Sequence, residues 1–110
     1  MAGVFAADTV LDRRPAGHGY EEVVVDQPNP FLPTGAKLRG HEFHYSKLDT
    51  AEHLQTILQV SKGSGLGGGR DGLLYNQTVA TYLHLHALAA TEWTRGFLEA
   101  AAKYSHARKT

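Results

Sequence analysis

Short runs of β-forming residues, each bounded by glycine, proline or another turn former, occupy much of this chain. Three prolines within residues 27–35 forbid a regular strand ladder, and residues 62–72 form a glycine-dense connector. Gly40 interrupts one of the runs, which predicts a bulge or a close approach of another backbone. Strands are predicted at residues 20–26, 36–46, 56–60, 73–75 and 79–86. Because Asn76 favours a turn between the last two, we expect an antiparallel meander.

The hydrophobic period changes near the end of the chain. Trp93, Phe97 and Tyr104 recur at helical spacing, and Thr91 can cap the N-terminus of a helix. One amphipathic helix over residues 91–104 is therefore predicted, with its aromatic stripe packed against the sheet. The expected fold is β-rich, with about five strands and this C-terminal helix.

Composition excludes several classes of protein. With 110 residues, 42% of them hydrophobic, the chain fits a single domain over residues 1–110. Its 11 basic side chains balance 11 acidic ones, and no apolar run approaches a membrane span, so we expect neither nucleic acid nor membrane as a partner. The start has no basic leader, which favours a cytoplasmic location. The absence of cysteine excludes a disulfide, a thiolate zinc site and a cysteine nucleophile within this chain.

The glycine-dense connector invites comparison with phosphate-binding loops. A Walker loop ends in Gly-Lys-Ser/Thr, and a dinucleotide loop opens into a helix. Here Arg70-Asp71-Gly72 and a predicted strand follow instead. We therefore predict a flexible hairpin loop.

Four of the seven histidines fall in two strand-like motifs, residues 39–46 and 81–86. His84 and His86 lie two apart and would share a strand face, so that a third histidine from a neighbouring strand would complete a zinc site. The same rings are equally compatible with hydrogen bonding to backbone or carboxylate in a partly buried sheet edge.

Acid–base chemistry is the other use of these motifs. Glu42 and His44 would share a face of one strand, with His84 close by on another, and a carboxylate can fix the tautomer of an imidazole. Ser46 and Ser61 lack the glycine-flanked elbow that exposes a nucleophilic hydroxyl. A complete nucleophilic triad is therefore not expected in this chain.

The motifs, taken in order, resemble those of a known enzyme family. Gly-His-Gly-Tyr-Glu-Glu-Val at 17–23 precedes Gly-His-Glu-Phe-His-Tyr-Ser at 40–46. Asp-Gly at 71–72, Asn76 and Thr-Tyr-Leu-His-Leu-His at 81–86 follow. Together they resemble the C-terminal end of the cobyrinate a,c-diamide synthase family, and the likeness covers most of the chain.

The resemblance implies the C-terminal portion of a class I glutaminase-like α/β domain that serves an ATP-dependent amide ligase domain. Its substrates would be glutamine and a tetrapyrrole carboxylate, with ATP and magnesium bound by the ligase domain and no cofactor in this chain. By motif, His84 would activate a cysteine thiol. Glu42 and His44 would support that histidine.

The chain departs from the family pattern because it has no cysteine. The resemblance therefore predicts part of a glutamine-dependent amidotransferase of cobalamin biosynthesis, inactive alone and completed by an N-terminal ligase and glutaminase portion. Two alternatives stay open: the same family acting on sirohaem or another tetrapyrrole, and a non-catalytic histidine-rich module that binds a metal or a partner. A severed α/β domain would also expose a strand edge and an apolar face, so a homo-oligomer is expected.

Overall fold

A computed structural model describes residues 3–49 and 54–108, and within them the chain forms seven strands and one helix. The elements are β1 (Thr9–Leu11), β2 (Gly17–Val25), β3 (Lys37–His44), β4 (Ser46–Leu48), β5 (Gln55–Lys62), β6 (Arg70–Tyr75), β7 (Thr78–Ala80) and α1 (Thr91–Arg108). Five strands form one antiparallel sheet, and β1 pairs with β4 in a separate two-stranded ribbon. The expected β-rich α/β fold with about five sheet strands and a C-terminal helix is confirmed.

The strand order β3-β2-β5-β6-β7 differs from the predicted simple meander. The first long strand, β2, lies inside the sheet and pairs with both β3 and β5. Val23 and Val25 point from β2 into the core, where they meet Ile57 and Leu58 of β5. Burial of these side chains favours pairing along both edges of β2, because a buried strand cannot leave its backbone groups without partners.

The predicted strand at 79–86 is shorter in the structure, where β7 ends at Ala80. Beyond it, a single β-bridge joins His84 to His41. The backbone N–H groups of Tyr82 and Leu83 instead donate to the carboxylate of Asp71 on β6. A side chain has thus replaced the strand partner, which local sequence preference does not indicate.

The helix α1 begins at Thr91, as predicted, but none of its residues is buried. Trp93 packs against the core and contacts Phe31 edge to face, and Phe97 stacks on the same ring. Tyr104 is 66% exposed, so the prediction that the whole aromatic stripe packs on the sheet is wrong beyond the second turn. No helix in the described part of the chain is long and apolar enough to cross a membrane.

Candidate functional site

Alternation along β3 sorts the first histidine motif onto two faces. Glu42 and His44 point inward and are 2% and 8% exposed, whereas His41 and Phe43 point outward. This agrees with the period of two that the sequence predicts for a strand. An acidic and a basic side chain therefore meet inside the domain.

The buried His44 ring lies between two acceptors. Its Nε2 is 3.1 Å from Oε2 of Glu42, and its Nδ1 is 2.8 Å from the carbonyl oxygen of Ser46. A carbonyl oxygen can only accept, so Nδ1 donates to Ser46. The ring is thus held between the Ser46 carbonyl and the Glu42 carboxyl group. Gly17 makes room for this pair, since a Cβ there would overlap Nε2 of His44.

Glu42 also anchors the glycine-dense connector between β5 and β6. Its Oε1 accepts from Ser64 N at 2.7 Å, and its Oε2 accepts from Gly65 N at 2.8 Å. Burial alone would raise the pKa of Glu42, but these backbone donors and His44 outweigh it and lower that pKa. The loop that resembled a phosphate site is thus an intramolecular anion site for a carboxylate.

Two further carboxyl groups lie beside Glu42 in the interior. Glu21 of β2 and Asp71 of β6 are each 0% exposed. Neither oxygen of Glu21 has a hydrogen-bond partner of normal geometry among the described residues. Burial, followed by the neighbouring carboxyls of Asp71 and Glu42, raises the pKa of Glu21 to about 10. Glu21 is therefore a neutral carboxylic acid near pH 7.

Tyr82 connects this interior to the second histidine motif. Its ring stacks on His44 with centroids 3.7 Å apart and an interplanar angle of 6°. Its hydroxyl shares a 2.6 Å hydrogen bond with the hydroxyl of Ser46. Tyr82 thus packs the second histidine motif onto the Glu42–His44 pair, although among the described residues no hydrogen bond or ion pair joins that pair to His84 directly.

His84 lies at the surface and is held by His41. Its backbone N–H donates to His41 O at 2.8 Å, and its Nδ1 is 3.1 Å from the same oxygen. The two rings stack with centroids 5.3 Å apart. Gly40 permits this approach, because a Cβ there would overlap the carbonyl oxygen of His84. The close approach predicted at Gly40 is confirmed.

This contact orients the ring of His84. Because a carbonyl oxygen can only accept, Nδ1 donates to it, and Nε2 makes no hydrogen bond among the described residues. The residue is exposed. His84 therefore presents an oriented imidazole to whatever covers this face.

Metal binding finds less support in the geometry. Within residues 3–49 and 54–108, no group of three or more histidine, aspartate or glutamate side chains could hold a metal ion. His86 accepts through Nδ1 from the backbone N–H of Leu88 at 3.2 Å. The pair His84 and His86 has no third ligand in the part of the chain that the structure describes.

With fold and geometry in place, comparison with known proteins defines the class. Residues 1–92 match the model of the CobB/CobQ-like glutamine amidotransferase domain, so the chain belongs to that family. The buried Glu42–His44 pair and the exposed His84 both lie within the matched residues. No solved structure matches the chain.

Three curated relatives that match this chain are all cobyrinate a,c-diamide synthases. The chain is 35% identical over 94 residues to the cobyrinate a,c-diamide synthase of Magnetococcus marinus, a match covering 84% of this chain and 20% of that protein. The synthase of Methanosphaera stadtmanae is 34% identical over 103 residues, covering 92% and 23%. That of Halobacterium salinarum is 37% identical over 86 residues, covering 78% and 20%. The chain thus spans about a fifth of the length of these relatives.

Sequence patterns missed Asp71, Glu21 and Tyr82 as parts of the site. Asp71 stands in the predicted glycine-dense connector, where an acidic residue is ordinary, whereas the structure places it in β6. Glu21 offered no signal, since it adjoins the exposed Glu22 in an ordinary strand pattern. Only the pairing of β2 with β5 and the path of residues 81–84 bring these groups together.

Proposed function

We propose that this chain supplies the basic half of a glutaminase site in an amidotransferase of the cobyrinate a,c-diamide synthase type. The observation that carries the proposal is the hydrogen bond that orients the His84 ring. His41 O holds its Nδ1–H, and its Nε2 is free of hydrogen-bond partners among the described residues and faces outward. A base so oriented suits proton transfer from a thiol presented by another part of the enzyme.

In the proposed reaction, His84 Nε2 takes the proton from a cysteine thiol that this chain does not contain. The thiolate attacks the side-chain amide carbon of glutamine, and the C–N bond of the resulting tetrahedral adduct breaks. The imidazolium returns its proton to the departing nitrogen, which leaves as ammonia, and water then hydrolyses the thioester to glutamate. His84 thus acts first as base and then as acid.

The ammonia would serve an ATP- and magnesium-dependent ligase portion that amidates a tetrapyrrole carboxylate. The named activity of the curated relatives supports this choice of substrate class. Glu42 and His44 would act beneath the site. Glu42 contacts His44, on whose ring Tyr82 stacks, and the pair so supports the segment that carries His84.

A hybrid enzyme tests the proposal. This chain would replace the matching segment of the Magnetococcus marinus synthase, and glutamine hydrolysis and amidation would be measured with either glutamine or ammonia as nitrogen donor. The base assigned to His84 predicts that His84→Ala loses glutamine-dependent amidation by about 100-fold or more and keeps ammonia-dependent amidation. Ammonia bypasses the thiol chemistry, so the ligase portion serves as an internal control.

His106→Ala is the matched control, because His106 is an exposed histidine of α1 remote in sequence from both motifs. It should leave both activities unchanged. Full glutamine-dependent activity in His84→Ala would exclude His84 as the base.

A further inference from the structure

The Asp71 side chain is fully buried, and both of its carboxyl oxygens accept hydrogen bonds from backbone N–H groups. Its Oδ1 accepts from Gly72 N at 2.8 Å and from Tyr82 N at 3.1 Å. Its Oδ2 accepts from Leu83 N at 3.1 Å. The two oxygens of one rigid group thus hold two consecutive peptide units of the segment that leads to His84.

Side chains make the other contacts of this segment: Tyr82 stacks on His44 and bonds to Ser46, but regular backbone pairing is missing here. The strand β7 ends at Ala80, and the next backbone pairing is the His84–His41 bridge. Between them, the Leu83 side chain is 4% exposed and fixed in the core. Asp71 therefore takes the place of a strand partner where regular pairing stops.

We propose that Asp71 is the positioning residue of His84, an inference that rests on the proposed function. Asp71 does not touch the reacting atoms. By fixing the peptide planes at Tyr82 and Leu83, it sets where the next residue leaves the sheet. His41 then needs only to hold Nδ1 for Nε2 to point outward.

The expected effect follows from the sensitivity of proton transfer to distance. A displacement of about 1 Å at a reacting group lowers rates by about 100-fold. Loss of one amide contact next to His84 is enough to permit such a shift, because backbone geometry carries it to the ring. Substrate contacts made elsewhere in the enzyme would be unaffected.

Asp71→Asn in the hybrid enzyme is the test. Asparagine keeps the shape of aspartate but places an NH₂ group against a backbone N–H that requires an acceptor. Glutaminase kcat should fall by about 100-fold, with the KM for glutamine and ammonia-dependent amidation unchanged. Because Asp71 acts through His84, the double variant Asp71→Asn/His84→Ala should be no slower than His84→Ala alone.

Asp26→Asn is the matched control. Asp26 pairs with Arg70, the neighbour of Asp71 on β6, and among the described residues it has no hydrogen bond to Tyr82 or Leu83. The Asp26→Asn variant disturbs the same strand. It should lower glutamine-dependent and ammonia-dependent amidation equally, or leave both unchanged. A further loss in the double variant, an equal fall of both activities in Asp71→Asn, or no fall at all would each overturn the positioning role.

Amide hydrogen exchange supplies a measurement that needs no variant. The N–H groups of Tyr82 and Leu83 should exchange as slowly as those inside β6, and rapid exchange would overturn the proposal. Failure of the proposed function gives a different result. In that case His84→Ala would retain glutamine hydrolysis. If His84→Ala is inactive and Asp71→Asn is not, only the positioning role falls.

Discussion

At the scale of single residues, the interior is organised by differences among three carboxyl groups. Glu42 receives backbone donors from Ser64 and Gly65, and its pKa is lowered. Asp71 accepts three backbone N–H groups. Glu21 lies beside both and has no such donor, and it is the carboxyl whose pKa is raised, to about 10. Burial therefore raises the pKa of Glu21, whereas backbone donors outweigh burial at Glu42 and lower its pKa.

Glu21→Gln should stabilise the fold near neutral pH. A group whose folded pKa lies far above its unfolded value holds a proton in the native state that the unfolded chain releases. Its contribution is complete below about pH 4.5 and is lost as pH rises toward about 10. A glutamine amide is neutral at every pH and can donate to the neighbouring carboxylates.

The expected gain in unfolding free energy is on the order of 1–3 kcal/mol at pH 7, and it should shrink toward pH 4.5. Chemical denaturation across that range measures it. Glu22→Gln, at the exposed neighbouring position, is the control and should show no such trend. Destabilisation by Glu21→Gln at pH 7 would contradict the neutral acid.

At the scale of elements, the two faces of β3 hold different parts of the candidate site. Its inner face holds the Glu42–His44 pair, while its outer face presents His41 to His84. The strand can do both because Gly40 removes the side chain that would separate it from the 81–84 segment. Position within the strand, rather than proximity in sequence, thus links the two motifs.

Gly40→Ala tests that link. The added Cβ overlaps the His84 carbonyl oxygen, so the segment must retreat, and overpacking of this kind costs about 1–3 kcal/mol. We expect a lower melting temperature and faster exchange of the His84 amide, measured by thermal denaturation and hydrogen exchange. Lys37→Ala, at an exposed position of β3, is the control, and an unchanged His84 amide in Gly40→Ala would refute the contact.

At the scale of the whole molecule, apolar surface remains uncovered. A cavity of about 360 Å³ opens between α1 and the sheet, lined by residues that include Phe31, Val79 and Trp93. Phe97 of the helix also lines this cavity and is 48% exposed. Grouped apolar surface of this kind favours association with another protein surface.

We predict that the isolated chain self-associates through this face. Light scattering over a range of concentrations should show a mass that rises above 12.0 kDa, because burial of apolar side chains drives the association. Phe97→Ser should weaken it, whereas Lys103→Ser, at another exposed position of α1, should not. A monomer at every concentration would contradict the prediction.

The sequence by itself determined the strand-forming runs, the start of α1, the shared strand face of Glu42 and His44, and the close approach at Gly40. These are local properties, since period, turn formers and the absence of a side chain act over a few residues. The ordered motifs likewise indicated the family that residues 1–92 match.

The tertiary structure alone decided the central place of β2, the early end of β7 and the exposure of Tyr104. It also decided the environment of each acid, because hydrogen-bond donors reach Glu42 from 22 residues away and reach Asp71 from 11 and 12 residues away. Such contacts depend on which segments the folded chain brings together. Local patterns therefore located the two histidine motifs, and long-range packing oriented His84.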